Sequence, residues 1–156
     1  MDILTALLQN GSITQAVFAR AKEKVADGAM VETALIESEL APPDVRTLMA
    51  AYYDVPAYEP PKDIRIKESL LELVPEESAR HYQIVPYEIK DGVLLVAVTH
   101  PEDVQIREVL NFVSTRHHQP YKMTYVLPAD MERLLQAYAT LTGEIGEAYV
   151  RTGRRS

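Results

Sequence analysis

Four histidines are the first residues of this chain that invite a chemical reading, and their spacing argues against one. His117 and His118 are adjacent, so on a helix or a strand their imidazoles diverge. A metal site would need ligands brought from elsewhere, such as His100 or Asp103. Solvated loop histidines are the simpler account. Thr99-His100-Pro101-Glu102-Asp103 falls where an apolar strand gives way to a helix, a place that often holds anions or reacting groups. Glu102 and Asp103 would repel an anion there, whereas first-turn carboxylates suit the positive end of a helix dipole. A small hydrolase built on this turn would need a polar cleft that the sequence does not supply. Glu76 beside Glu77, and Glu37 near Glu39, have no neighbouring feature that would raise a carboxyl pKa, so they read as surface. Tyr52, Tyr53 and Tyr58 cluster in the chain and read as packing, with a partner patch as the alternative. Phosphate loops of the GxxxxGK[ST] type, GxGxxG turns, serine elbows, HExxH helices and EF-hand loops are all missing. The chain has no cysteine, which excludes disulfides, thiolate catalysis and Cys-based zinc sites. No catalytic, cofactor-binding or metal-ligating residue is assigned.

Composition narrows the class further. The 156 residues are 47% hydrophobic and 25% charged, an ordinary globular balance. Sixteen Lys and Arg stand against 23 Asp and Glu, a formal charge of −7 that argues against nucleic acid or anionic lipid as a general partner. No apolar run approaches the ~20 residues of a membrane span, and the first nine residues lack the basic start of a signal peptide. The expectation is a soluble cytoplasmic protein without direct membrane insertion.

The elements that position these residues fall into two parts, an α+β arrangement. Residues 1–53 read as an all-helical module of two helical hairpins. Val17, Phe18, Ala21 and Val25 keep helical spacing between a Thr14 N-cap and a Gly28 stop. A second long helix opens at Pro42-Pro43-Asp44 and carries Val45, Leu48, Met49 and Tyr52 inward. Short helices at about Ile3–Leu8 and Met30–Glu37 precede turns at Asn10-Gly11-Ser12 and Ser38-Glu39. Pairing Leu8 with Leu35, Ile13 with Leu40, Phe18 with Val45 and Val25 with Tyr52 gives a single offset of 27 residues, a degenerate repeat. Pattern alone also permits two unrelated amphipathic hairpins.

Residues 54–63, with three prolines in six positions, read as a linker or an extended strap. Residues 64–142 read as a small α/β module of order ααββαβα with a three-stranded sheet. Helices at Ile66–Leu73 and from Pro75 to about Tyr82 lead to a strand, Gln83–Ile89. Asp91-Gly92 then predicts a two-residue type I′ hairpin, because both central positions need φ > 0. The return arm Val93–Val98 has no polar residue, so both its faces should be covered. A helix from Pro101 to about Ser114 has an apolar face of Val104, Val109, Phe112 and Val113. A polar loop, Arg116–Pro120, then a strand, Tyr121–Leu127, and a helix from Pro128 with Met131, Leu134, Leu135 and Tyr138 complete the module. Residues 143–156 read as a flexible tail.

Several of these segments carry a joint pattern. Leu73-Val74-Pro75-Glu76 is followed by Ala79-Arg80, then by Ile84-Val85-Pro86, Leu94-Leu95-Val96-Ala97-Val98, His100-Pro101-Glu102-Asp103, and finally Asp130 with Tyr138. In order and spacing they resemble the N-terminal domain of the hexameric ATPases that drive type II secretion and type IV pilus assembly. The helical repeat and the Asp54-Val55-Pro56 junction extend the resemblance over residues 1 to about 141. The resemblance implies a regulatory, non-catalytic domain that docks the motor to the cytoplasmic part of an inner-membrane platform protein. It also implies an ATPase domain in cis where the chain is a fragment. Some members of that family bind cyclic di-GMP through two tandem motifs, each beginning Arg-Leu-Gly, passing a turn glycine and ending at glutamine. Here the first Arg-Leu-Gly falls at Asp2-Ile3-Leu4 and the second at Ala29-Met30-Val31. The turn glycine is Gly11, then Ser38, and the glutamines are Val25 and Tyr52. With both arginines missing the bidentate partner for phosphate or guanine is lost, and Asp2 repels a dianion. No cofactor is expected, and a cyclic di-GMP sensor with a divergent binding mode is the alternative.

Overall fold

The computed structural model describes the backbone of residues 2–151 and the side chains of residues 2–139. Among them are eight helices and one three-stranded sheet, an α+β fold, in two compact units, 1–57 and 58–156.

The first unit holds α1 (Ile3–Gln9), α2 (Gln15–Ala26), α3 (Val31–Glu37) and α4 (Pro42–Tyr53). Thr14 caps α2 by accepting the Val17 N–H at 3.2 Å, and proline opens α4, where no intrahelical donor is lost. Leu4, Leu7, Ile13, Ala21, Ala34, Leu35, Val45, Met49 and Ala50 are buried. Tyr52 is not among them: it is 38% exposed, and Arg46 and Ala50 take the buried side of α4 instead. The repeat is real, but its offset is not uniform. The long helices match at 27 at both ends, whereas the short ones match at 28. Leu7, not Leu8, is the counterpart of Leu35, and both are fully buried. One residue is therefore lost in the second turn, where Gly11 at φ +82 is matched by Glu39 at φ +76 and not by Ser38.

In the second unit the order is α5 (Glu68–Leu71), α6 (Glu76–Tyr82), β1 (Ile84–Lys90), β2 (Val93–Val98), α7 (Val104–His117), β3 (Tyr121–Tyr125) and α8 (Pro128–Arg151). Asp91 and Gly92 both have positive φ, +53 and +78, so the hairpin has the expected turn. β2 lies in the middle, antiparallel to β1 and parallel to β3, with α7 as the crossover. Its Leu94, Val96, Ala97 and Val98 are at most 1% exposed, and each of the Leu and Val side chains contributes roughly 1.5–3 kcal/mol on burial. Val93 and Leu95, on the Ala97 face, are only half-buried, so that face is covered in part. A bulge between Pro86 and Glu88 breaks the alternation of β1, so Ile84, Val85, Pro86 and Tyr87 are all buried.

Several boundaries differ from the sequence reading. α5 is one turn, Glu68–Leu71, shorter at both ends than the helix expected over Ile66–Leu73, with Lys67 extended before it. α7 begins at Val104 because Asp103 is its N-cap, accepting the Gln105 N–H at 2.8 Å; it runs on through Arg116 to His117. Its buried face is Ile106, Leu110 and Val113, while Val104 and Phe112 are 64% and 63% exposed. β3 stops at Tyr125. The stretch 58–63 belongs to the second unit: Tyr58 N–H donates to the Tyr125 carbonyl at 2.9 Å, its ring stacks on Tyr87 at 3.9 Å, and Arg133 donates to the Pro61 carbonyl at 2.7 Å. Pro60 is buried. The linker thus reduces to Asp54–Ala57. α8 continues to Arg151, where a tail was expected from 143; residues 152–156 lie outside the described residues.

The core of the second unit is closed by Tyr138, whose hydroxyl donates to the Val74 carbonyl at 2.8 Å, 64 residues away. Burial pushes that phenol well above its ordinary range, and burial likewise pushes Tyr87, bonded to Thr124 Oγ1 at 3.0 Å, up to about 12. Both folded-state values lie above the unfolded value of about 10, so this stabilisation is complete below pH ~10 and is lost as pH rises through the folded values. Tyr138→Phe should cost about 1–2 kcal/mol at pH 7 by leaving the Val74 carbonyl unpaired. In urea titrations the difference between wild type and variant should shrink above pH ~10; a pH-independent difference would contradict this.

Candidate functional site

The sequence directs attention first to the two ends of the short helices. Asp2 is the N-cap of α1 and accepts the Thr5 N–H at 2.8 Å. That hydrogen bond holds its carboxyl below the usual range, so at neutral pH the position is a fixed negative charge committed to the helix. Its structural counterpart is Met30, the N-cap of α3, which makes no side-chain bond. The 28-residue offset moves the second motif by one position, from Ala29-Met30-Val31 to Met30-Val31-Glu32, and still finds no arginine. Glu39 takes the second turn-glycine position in the left-handed region, which costs a non-glycine residue on the order of 1 kcal/mol. Val25 is partly buried and Tyr52 exposed.

Residues 1–57 contain four basic side chains against eight acidic ones. Arg20 pairs with Glu39, and Lys24 Nζ lies 3.8 Å from Glu37. Lys22 sits 5.6 Å above the Phe18 ring, and Arg46 is buried and partnered. All four are therefore engaged. The two exposed pairs join the second turn of the repeat to α2 and each contributes at most about 1 kcal/mol. They occupy the cations that a phosphate would need.

The strand-to-helix turn is structural in its details. His100 Nδ1 is 3.7 Å from Glu102, Asp103 caps α7, and the Pro101 carbonyl accepts from Arg107 at 3.2 Å. Thr99 is 2% exposed, and its Oγ1 has no hydrogen-bond partner. His117 and His118 close α7, the latter at φ +51. Among the described residues no three His, Asp or Glu side chains are grouped to hold a metal ion. Glu76 is bridged to Arg80 at 2.9 Å, and Glu37 and Glu39 face the α2 cations. Tyr52 and Tyr53, in the first unit, meet edge to face at 5.1 Å, while Tyr58 and Tyr87, both in the second, stack on each other. Sequence reasoning missed Tyr87 and Thr124, because the bulge that turns Tyr87 inward has no local signature.

A family model for the MshEN domain matches residues 53–144. The chain belongs to the MshEN domain family, the domain type expected from its motifs, found at the N-terminus of type II secretion and type IV pilus assembly ATPases. The structure of MshE with cdg is similar over 88% of this chain and 99% of that chain, at TM-score 0.66 and 16% identity. The N-terminal domain of XpsE is similar over 86% of this chain and 92% of that one, at TM-score 0.49 and 17% identity. No curated protein matches the chain. Among the described residues no helix is long and apolar enough to cross a membrane.

The orphan hydroxyl yields a test. Thr99→Val replaces an unpaired buried oxygen by a methyl of the same shape and should raise stability by about 1 kcal/mol. A loss of similar size in urea denaturation would mean that a partner satisfies the hydroxyl.

Proposed function

We propose that this chain is a non-catalytic regulatory and docking domain of a type II secretion or type IV pilus assembly ATPase. It anchors the motor to the cytoplasmic domain of an inner-membrane platform protein, acts at the cytoplasmic side, and needs no cofactor. The observation that carries this reading is the family match over residues 53–144. The motif residues inside that match have structural work: Val74 receives Tyr138, and Asp130 accepts the Leu127 N–H at 2.9 Å. These structural roles support the non-catalytic reading, in which the ATPase domain lies elsewhere in the motor.

A second reading is favoured by one fact, that the MshE structure similar to this chain was solved with cdg. On that reading the helical repeat binds cyclic di-GMP in a divergent mode. Asp2 and Met30 at the two helix starts, and four basic side chains already engaged, favour the first reading. Isothermal titration of the chain with cyclic di-GMP should give no saturable heat, and the nucleotide should leave the melting temperature unchanged. The purified cytoplasmic domain of the platform protein should bind in the same instrument. Saturable low-micromolar nucleotide binding, or no binding of the platform domain, would overturn the first reading.

A further inference from the structure

α7 carries two apolar stripes. Ile106, Leu110 and Val113 point into the core, at most 7% exposed. Spacing alone assigns Val109 and Phe112 to that same core; Val109 is half-buried, packed against the core while also lining the outer flank, and Phe112 is turned outward, 63% exposed. Phe112 is one of only two phenylalanines in the chain; one exposed ring alone is ordinary, but here it adjoins Val109 and Tyr82, and it is contiguous apolar surface that marks a contact. Across from it stands α6, and the two helices enclose an open groove of about 460 Å³ lined by Ser78, Tyr82, Gln105, Glu108, Val109 and Phe112. The groove offers two aromatic rings and an aliphatic floor, with one charge, the carboxylate of Glu108. Among the described residues no cation is placed against that carboxylate. Arg107, its neighbour in the chain, is turned to the Pro101 carbonyl, and Arg116 lies one turn beyond Phe112, outside the lining.

We propose that this α6–α7 groove is the docking surface of the domain, and that its occupant is an amphipathic helix of the platform protein carrying an apolar anchor beside a Lys or Arg. The apolar anchor fits between Phe112, Val109 and Tyr82, as helices lay an apolar face into a groove. The basic side chain meets Glu108 and lies over the aromatic rings, where a cation is held by both charge and the ring quadrupole. An acidic occupant would face the Glu108 carboxylate and is disfavoured. The proposal rests on the docking reading above and names its surface.

The test places a photo-crosslinking amino acid, one position at a time, at Phe112, at Ile89 on β1 and at Lys22 on α2, in the full chain inside the cells that encode it. From position 112, the adduct should map by mass spectrometry to a basic amphipathic helix in the cytoplasmic part of an inner-membrane protein. Glu108→Lys should reduce its yield several-fold, with the melting temperature of the purified variant within a degree or so of wild type, since the residue is exposed. Adducts with the platform protein from positions 22 or 89 but not 112 would overturn the groove and leave docking standing. An adduct from 112 that Glu108→Lys does not weaken, or one with a second copy of this chain, would overturn the proposed occupant. No platform adduct from any position would overturn both the groove and the docking reading.

Discussion

The second unit depends on β2. It is paired on both edges, by β1 and β3; Leu94, Val96 and Val98 on one face are fully buried, and on the other Ala97 is buried while Val93 and Leu95 are half-buried. A strand in that position has no polar face to give to water, so the surrounding helices are required to be there. α7 must cross over to return the chain parallel, α8 must supply Met131, Leu134 and Leu135 to the same core, and the Asp91-Gly92 turn sets the register with β1. The strap from Tyr58 to Asp63 follows from the same constraint: its Tyr58 amide takes up the Tyr125 carbonyl at the outer side of β3.

The residues that identify the family are mostly those that satisfy this requirement. The Val74 carbonyl just before Pro75, left without a helical partner, is taken by Tyr138. Asp130 is buried and accepts the Leu127 amide at the start of α8. Such residues serve the scaffold, so the family is recognised by what holds the fold together. What differs from one member to the next is expected on the surface: here, the helical repeat with its cations paired off and the outward stripe of α7.

Much of this was legible in the residues because it is encoded locally. Asp-Gly between two apolar runs, Thr14 three residues before Val17, and proline at the start of α4 each act within one turn of chain. The parts that were not legible depend on distant contacts or on a single missing residue. Phe112 and Ile106 both fall on helical periods, and only packing chooses between the two stripes of α7. The one-residue loss in the second repeat is visible only through the left-handed backbone at Glu39, since Leu8 and Leu7 are the same residue type. The strap looked like a linker because Tyr58 and Tyr87 are distant in sequence and meet only in the fold. In the candidate site the absence of both arginines was plain from the sequence, whereas the engagement of the remaining cations needed coordinates.

The scaffold claim is tested most directly by native-state hydrogen exchange of the whole chain, read residue by residue. The account predicts that the amides of Leu94 to Val98 exchange only through global opening of residues 58–151, with the largest protection in the chain, and that the amides at the ends of α1 and α3 exchange orders of magnitude faster. If the β2 amides exchange as fast as those helix ends, β2 is not the element on which the fold depends and the account is wrong.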